Sequence, residues 1–566
     1  MRSRNSLCLL AIFICGTLFY SLISWSNPFV FDDILKLQEN SDLKPGSSIA
    51  ETLLYPYTQN ATNLLRNDPS RPLTFLIYRL CYQIGDGQPW PFHVTSSLFH
   101  SLNAMLVFLL VGLFTRRVFK SESVVPGVLA AFFFLMVPIN SGTVLYAFAF
   151  SDVIAAFFVL SAVYIFVREP STKPAAYAAS MVLFFCALFS KQSAIVLPAL
   201  ILVTDFLLNQ VHRKRVYQYA GFATLAVVYV VFRYVFFGGI GDLEGTGNTY
   251  AALDYLKLQG PMILKYVMLT LIPTGLALDH APIPSAYQLW VIALSWLLIT
   301  SLALVALKFL YKKNIPWIAK LSAWFWIFFL ITLSPTSSFV PTVDLFVERR
   351  VYMGSVAFAA LFGLLLTRIP KKHLGVIVGS VILVLLTAVS WGRSEVYANP
   401  ELLWLESVHQ YPHSKRARAN IAYTYDQQGR YEEARKIYED ILLQYPDDAF
   451  IHTKLALIFQ NPRYQGHSPQ KAFESYKKAL EINPNDIVTL YNMGLLLLDA
   501  GSYDQAEALF RRSLEINPRF VHGVFGLGMT LVKKGQTAEG KAALEKALEI
   551  DPQFQGAREQ LQLLQE

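Results

Sequence analysis

Charged residues are scarce in this chain. They make up 16% of its 566 residues against 54% hydrophobic ones, where an average soluble domain carries about 25% charged residues. With a mean hydropathy of +0.39, that imbalance excludes a soluble globular protein and implies many membrane-spanning helices. Cysteine is almost absent. Cys8, Cys15, Cys81 and Cys186 have neither metal-site spacing nor a disulfide framework, and three of them fall inside apolar runs. No small-x-small cleavage site follows the first apolar run, so residues 7–24 are expected to remain as a helix with Arg2 and Arg4 on the cytoplasmic side. Nucleic acid is excluded as a partner despite the net charge of +8, because the basic residues gather at the ends of apolar runs, as at Arg116 and Arg117, Arg213 to Arg215, and Lys312 and Lys313.

What is present is a series of apolar runs at 7–24, 94–115, 124–139, 152–167, 175–190, 193–209, 216–237, 287–307, 316–334, 351–367 and 373–391. Eleven helices put the chain ends on opposite sides of a membrane, with the basic clusters cytoplasmic and Asp32, Asp33, Asp152, Asp279 and Glu348 on the outer face. The stretch 260–278 is apolar but holds Lys265, Pro273 and two glycines, and a span there would invert everything after it. It is read as interfacial or re-entrant.

Composition changes after Trp391. Prolines recur at 412, 446, 484, 518 and 552, spaced by 34, 38, 34 and 34 residues, which is the tetratricopeptide period. Gly429 and Gly501 mark turns and Ala434 and Ala506 allow close helix packing, while the four additional residues of the longer unit fall around Asn461 to Pro469. Residues 553–565 read as a polar capping helix. The expected architecture is all-α: a polytopic membrane helical bundle over 1–392, a connector over 393–412, and an α-solenoid of four tetratricopeptide repeats plus cap over 413–566. Helix parity sets the repeats on the same side as Asp32 and Asp33.

The outer face combines membrane-level carboxylates with cations that break the positive-inside pattern: Arg71, Arg79, Lys191, Lys265, Arg349 and Arg350. Such cations call for an anionic partner, and the phosphate of a lipid carrier supplies one. A carboxylate beside that phosphate can act as general base toward an incoming hydroxyl. These are the parts for glycosyl transfer from a lipid phosphate. The bland readings are a loop cap for Asp32-Asp33, helix-end anchoring for Arg349 and Arg350, a hairpin turn at Lys191, and a surface helix on anionic lipid for Arg71 and Arg79. His93 and His100, seven apart on one helix face, lack a third ligand and are read as hydrogen-bonding groups, with no metal site assigned. Asp279-His280 is either a ligand contact or a loop cap.

Several of these segments lie in an order that resembles the transmembrane and tetratricopeptide-repeat protein O-mannosyltransferases, which are C-type membrane glycosyltransferases. They are FVFDD at 29–33, the stretch from Arg71 to His100, SDVIAA from Ser151, FSKQ at 189–192, LALDH at 276–280 and ERRVY at 348–352, the last ending on Tyr352. The chain departs from the pattern at Gln192, where an acidic residue is expected, and at Ser96, where an amide is. The resemblance implies mannose on a polyprenyl phosphate, of dolichyl or undecaprenyl type, as donor and a Ser or Thr hydroxyl of a protein as acceptor. It also implies a catalytic acid in the first outer loop, matched by Asp32 or Asp33.

The expected mechanism is a single inverting displacement. Asp32 or Asp33, with Asp33 favoured, is the base, and Arg349, Arg350 or Lys191 steadies the leaving phosphate. No cofactor is expected to be required, although adjacent aspartates would suit a divalent cation. The repeats would bind the acceptor protein, and membrane lipid is the remaining partner. Localisation follows as an integral membrane protein with extracytoplasmic repeats, in a bacterial inner membrane or the endoplasmic reticulum, where the sequon Asn60-Ala61-Thr62 would be glycosylated. The alternative is a non-catalytic membrane scaffold whose repeats recruit partners for envelope or secretory assembly.

Overall fold

The computed structural model describes residues 2–564 apart from 39, 41–42, 47–48, 50–69, 170–172, 238–249, 284–286, 313 and 552–553. The sequon at Asn60, Lys313 and the fifth repeat proline, Pro552, lie outside the described residues. Two units are present, Met1–Tyr411 and Pro412–Glu566. Both are helical. Among the described residues the β contribution is an isolated antiparallel bridge between His280 and Phe346.

Every one of the eleven apolar runs lies on helix, but the helices differ in length. Six are long and apolar enough to cross a membrane, or seven if the pair Val125–Met136 and Pro138–Leu145, bent by 57°, is one span. The other runs form Pro174–Leu188, Gln192–Leu207, Trp317–Leu333 and Ser355–Leu366. At about 1.5 Å per residue these reach roughly 18–26 Å, short of a hydrocarbon core of about 30 Å. The expected count of eleven spans is therefore not reproduced by helix length. The physical reason is backbone breaks that hydropathy does not register: Pro138 after the extended Val137, and the 3₁₀ turn Gln192–Val196 ahead of Pro198.

Burial divides the helices by role. In Ala147–Arg168, 78% of the most apolar stretch is buried, against 17% in Arg213–Phe237 and Leu289–Tyr311. Ala147–Arg168 is thus an inner helix, while side chains such as Leu289, Leu304 and Tyr311 form an outer apolar face that only lipid or another apolar surface can cover. Residues 260–278, read as interfacial or re-entrant, begin inside a longer helix. Ala252–Leu271 is one continuous helix through Pro261, with Tyr255, Met262, Tyr266 and Leu269 on its buried side.

The second unit builds paired helices from Lys415–Gln427 and Tyr431–Gln444 to Val521–Lys533 and Thr537–Ile550, followed by Gln555–Leu563. Ser414, Asp448, Ser468 and Asp486 each cap a helix by accepting a backbone N–H. Gly429 and Gly501 turn the chain at φ +77° and +75°, a region open to glycine at little cost. Ala434 and Ala506 are fully buried where helices meet. The additional residues of the second repeat form the 461–468 connection, where Tyr464 packs on Phe459 and donates to Glu432 at 2.8 Å.

Candidate functional site

The loop after the first helix begins under strain. Phe31 adopts φ +52°, a left-handed conformation unusual for a bulky residue, and Asp32 and Asp33 follow before a π-helical turn at Ile34–Gln38. The turn sends the two carboxylates to different surroundings. Asp33 is fully buried: its Oδ2 accepts from the Val30 amide at 3.1 Å and its Oδ1 from the Phe148 amide at 2.7 Å. Burial pushes its carboxyl well above the usual carboxylate range, and the two amides pull the other way. Asp32 is half-buried, close enough to Arg349 and to the buried Tyr146 hydroxyl for its charge to act on both.

Four further elements converge there. Asp152, in the first turn of Phe150–Arg168, forms an ion pair with Lys191. The Lys191 turn is held to Pro72–Ile84 by Thr74, whose hydroxyl donates to the Ser190 carbonyl at 2.9 Å, and by Arg71, whose Nε donates to the Gln192 side-chain oxygen at 3.2 Å. Gln192, a neutral amide, thus stands beside Arg71 where an acidic residue is expected. Burial lowers the Lys191 ammonium to about 8, with Asp152 opposing the fall and Arg71 and Arg349 adding to it. Arg349 lies in the fields of Asp152, Tyr146, Asp344 and Asp32, and its guanidinium has no hydrogen-bond or ion-pair partner among the described residues. Asp32, Asp33, Arg71, Asp152, Lys191 and Arg349 are thus brought together.

The remaining candidates divide. Glu348, Asp279 and His280 form an adjoining buried group, in which His280 Nε2 meets Glu348 Oε1 at 2.7 Å. Burial lowers the His280 pKa, against the pull of Glu348. Arg350 is absorbed by structure: its guanidinium donates to Thr342 at 2.7 Å and to the Asp344 carbonyl at 2.8 Å, bracing the 342–350 loop. Tyr352 and His100 meet in the helical core at 2.7 Å, with Asn103 donating to the same hydroxyl at 3.1 Å. His93 reaches the Asn27 carbonyl at 3.2 Å. Arg79 is buried further along Pro72–Ile84.

No group of three or more His, Cys, Asp or Glu residues that could hold a metal ion occurs among the described residues. Both oxygens of Asp33 accept backbone amides. Sequence reading missed Tyr146, which carries no charge to flag it, and Arg393 and Tyr411. Arg393 had a signal: it is a cation just past the 373–391 run, on the side expected to be outer, the pattern that singles out Arg349.

A bundle of apolar helices with a charge cluster between its connecting segments, joined to a tetratricopeptide solenoid, defines the class. Tetratricopeptide repeat families match residues 405–458, 487–520 and 522–554. Over 142 residues the chain is 26% identical to protein O-mannosyl-transferase TMTC3 of Homo sapiens, a stretch that is 25% of this chain and 15% of that protein. It is 27% identical over 135 residues to the Mus musculus protein of the same name, covering 24% of this chain and 14% of that one. The match thus spans about one seventh of the length of these curated relatives. Among solved structures, MamA from Desulfovibrio magneticus RS-1 is similar at a TM-score of 0.24 and 21% identity, covering 26% of this chain and 80% of that one. YrrB, described as a TPR protein with an unusual peptide-binding site, is similar at a TM-score of 0.24 and 18% identity, covering 35% of this chain and 96% of that one.

Proposed function

We propose that the chain is a membrane glycosyltransferase that moves mannose from a polyprenyl-phosphate carrier to Ser or Thr hydroxyls of proteins on the extracytoplasmic side. The observation that carries this reading is the Arg349 guanidinium, charged and without a partner among the described residues, beside the half-exposed Asp32 and the Lys191–Asp152 pair. A leaving phosphate needs such cations, and an attacking hydroxyl needs such a base. The partial similarity to protein O-mannosyl-transferases supports the sugar and the acceptor class.

In the proposed step Asp32 takes the proton of the acceptor hydroxyl as its oxygen bonds to the anomeric carbon. The bond from that carbon to the phosphate oxygen breaks, and its electron pair leaves with the polyprenyl phosphate. Arg349 and Lys191 hold the phosphate charge, and the anomeric centre inverts. Asp33 acts on Asp32 through the backbone, as a positioning residue. No divalent cation is needed, and chelation with EDTA is expected to leave transfer unchanged. The repeat unit offers an acceptor protein a cleft of about 690 Å³ floored by Leu455 and Phe459 and edged by Glu439, Lys478 and Glu481.

The test is transfer of labelled mannose to protein in membranes containing the full chain, with polyprenyl-phosphate mannose or a nucleotide-linked mannose as donor. Label released by β-elimination, and supplied only by the lipid donor, is the expected result. No transfer from any lipid-phosphate sugar would overturn the enzyme reading in favour of the scaffold.

A further inference from the structure

Arg349 lies in the short 3₁₀ turn Glu348–Val351, preceded by a carboxylate that transfer itself does not use. That carboxylate is clamped from several directions. Glu348 Oε1 accepts from the Ala277 amide at 2.6 Å and from His280 Nε2 at 2.7 Å, which assigns the His280 proton to Nε2. His280 Nδ1 then accepts from the Tyr411 hydroxyl at 2.9 Å, with the Lys265 ammonium at 3.2 Å. Glu348 Oε2 faces Arg393 Nη2 at 3.6 Å, and Arg393 pairs in turn with Glu406. The clamp has little slack on its far side: a Cβ on Gly142 would stand 2.9 Å from the Tyr397 hydroxyl and 3.4 Å from Glu348 Oε2. Three participants, Arg393, Glu406 and Tyr411, come from a stretch that reads in sequence as a passive connector.

We propose that Glu348 is the positioning residue of the site and that Arg393–Tyr411 is one of its walls, together fixing the turn from which Arg349 meets the donor phosphate. This rests on the phosphate role of Arg349 proposed above. The turn has few bonds of its own, the Tyr352 amide to the Arg349 carbonyl at 3.2 Å among them, and needs outside support. Glu348 supplies it as a buried carboxylate whose Oε1 accepts two hydrogen bonds while Oε2 faces the Arg393 guanidinium, and a buried charge paired this way holds one geometry.

The test is the affinity of the full chain, in neutral phosphatidylcholine vesicles, for labelled polyprenyl phosphate. Arg349→Gln and Glu348→Ala are each expected to weaken binding about tenfold or more, the scale of one lost charge-assisted contact. Glu348→Gln recovers part of the affinity, because its side-chain oxygen still accepts from Ala277 and His280 while its amide nitrogen no longer pairs with Arg393. Should Glu348→Ala fail to fold, Glu406→Gln and Tyr411→Phe loosen the clamp from its outer end and are expected to weaken binding about threefold. Weakening in Arg349→Gln with wild-type affinity in the Glu348 or outer-end variants overturns the positioning role alone. Wild-type protein that does not bind polyprenyl phosphate, or Arg349→Gln that binds it normally, overturns the phosphate reading and this inference with it.

Discussion

At Asp33 burial drives the carboxyl upward in pKa while two backbone amides pull it back, and Asp32 next door is only half-buried. A base must meet substrate, so the half-exposed neighbour is the one that can serve. Lys191 gives a pH dependence with opposite signs for stability and transfer. Its ammonium titrates at about 8 in the fold, burial being the main cause, against about 10.4 for an unfolded lysine. Between these values the unfolded chain holds more protons, so stability is expected to rise with pH over that window. Transfer is expected to fall over the same window, as the phosphate loses its ammonium partner. Rates and thermal midpoints measured from pH 7 to 10 check both signs, and a rate that stays flat through pH 9 contradicts the Lys191 role. The Asp pair was legible as a candidate because the ends of most apolar runs gather basic residues and not carboxylates. Which of the two is buried was not, because that depends on the left-handed backbone at Phe31 and on the distant Phe148 amide, neither of which leaves a local pattern.

Among the elements, close approach decides stability. A Cβ on Gly363 would stand 2.1 Å from the Pro126 carbonyl oxygen, where Ser355–Leu366 packs on Val125–Met136. Gly363→Ala is expected to cost about 1–3 kcal/mol by forcing the helices apart. An unchanged thermal midpoint in detergent would contradict that packing. In the second unit Gly501→Ala meets open space but the wrong backbone region, and about 1 kcal/mol is expected. Chemical denaturation of the full chain, followed on the repeat transition, measures it. The turn glycines Gly429 and Gly501 and the helix-packing alanines were legible because the repeat fixes their offsets. Helix lengths were not: hydropathy records that 124–139 is apolar, but not that the backbone bends by 57° within it.

For the whole molecule the all-helical class and the two-part organisation follow from composition, because scarce charge and a 34-residue proline period are properties of long stretches. The convergence of Arg71, Asp152, Lys191 and Arg349 was legible only as charges on one face. Their distances, and the entry of Arg393 and Tyr411 into the neighbouring clamp, depend on packing between segments far apart in sequence. If the repeats serve the acceptor rather than the chemistry, deleting residues 412–566 is expected to spare transfer to a short Ser/Thr peptide and to lose transfer to a folded protein. Equal loss on both acceptors would contradict that division of labour. The most direct test of the account is the initial rate of mannose transfer from polyprenyl-phosphate mannose by wild type, Asp32→Asn and Asp33→Asn at matched amounts of folded protein. The account predicts a fall of about 100-fold or more for Asp32→Asn, the scale of a lost general base, and a smaller fall for Asp33→Asn with reduced thermal stability. Wild-type rates in Asp32→Asn would contradict it.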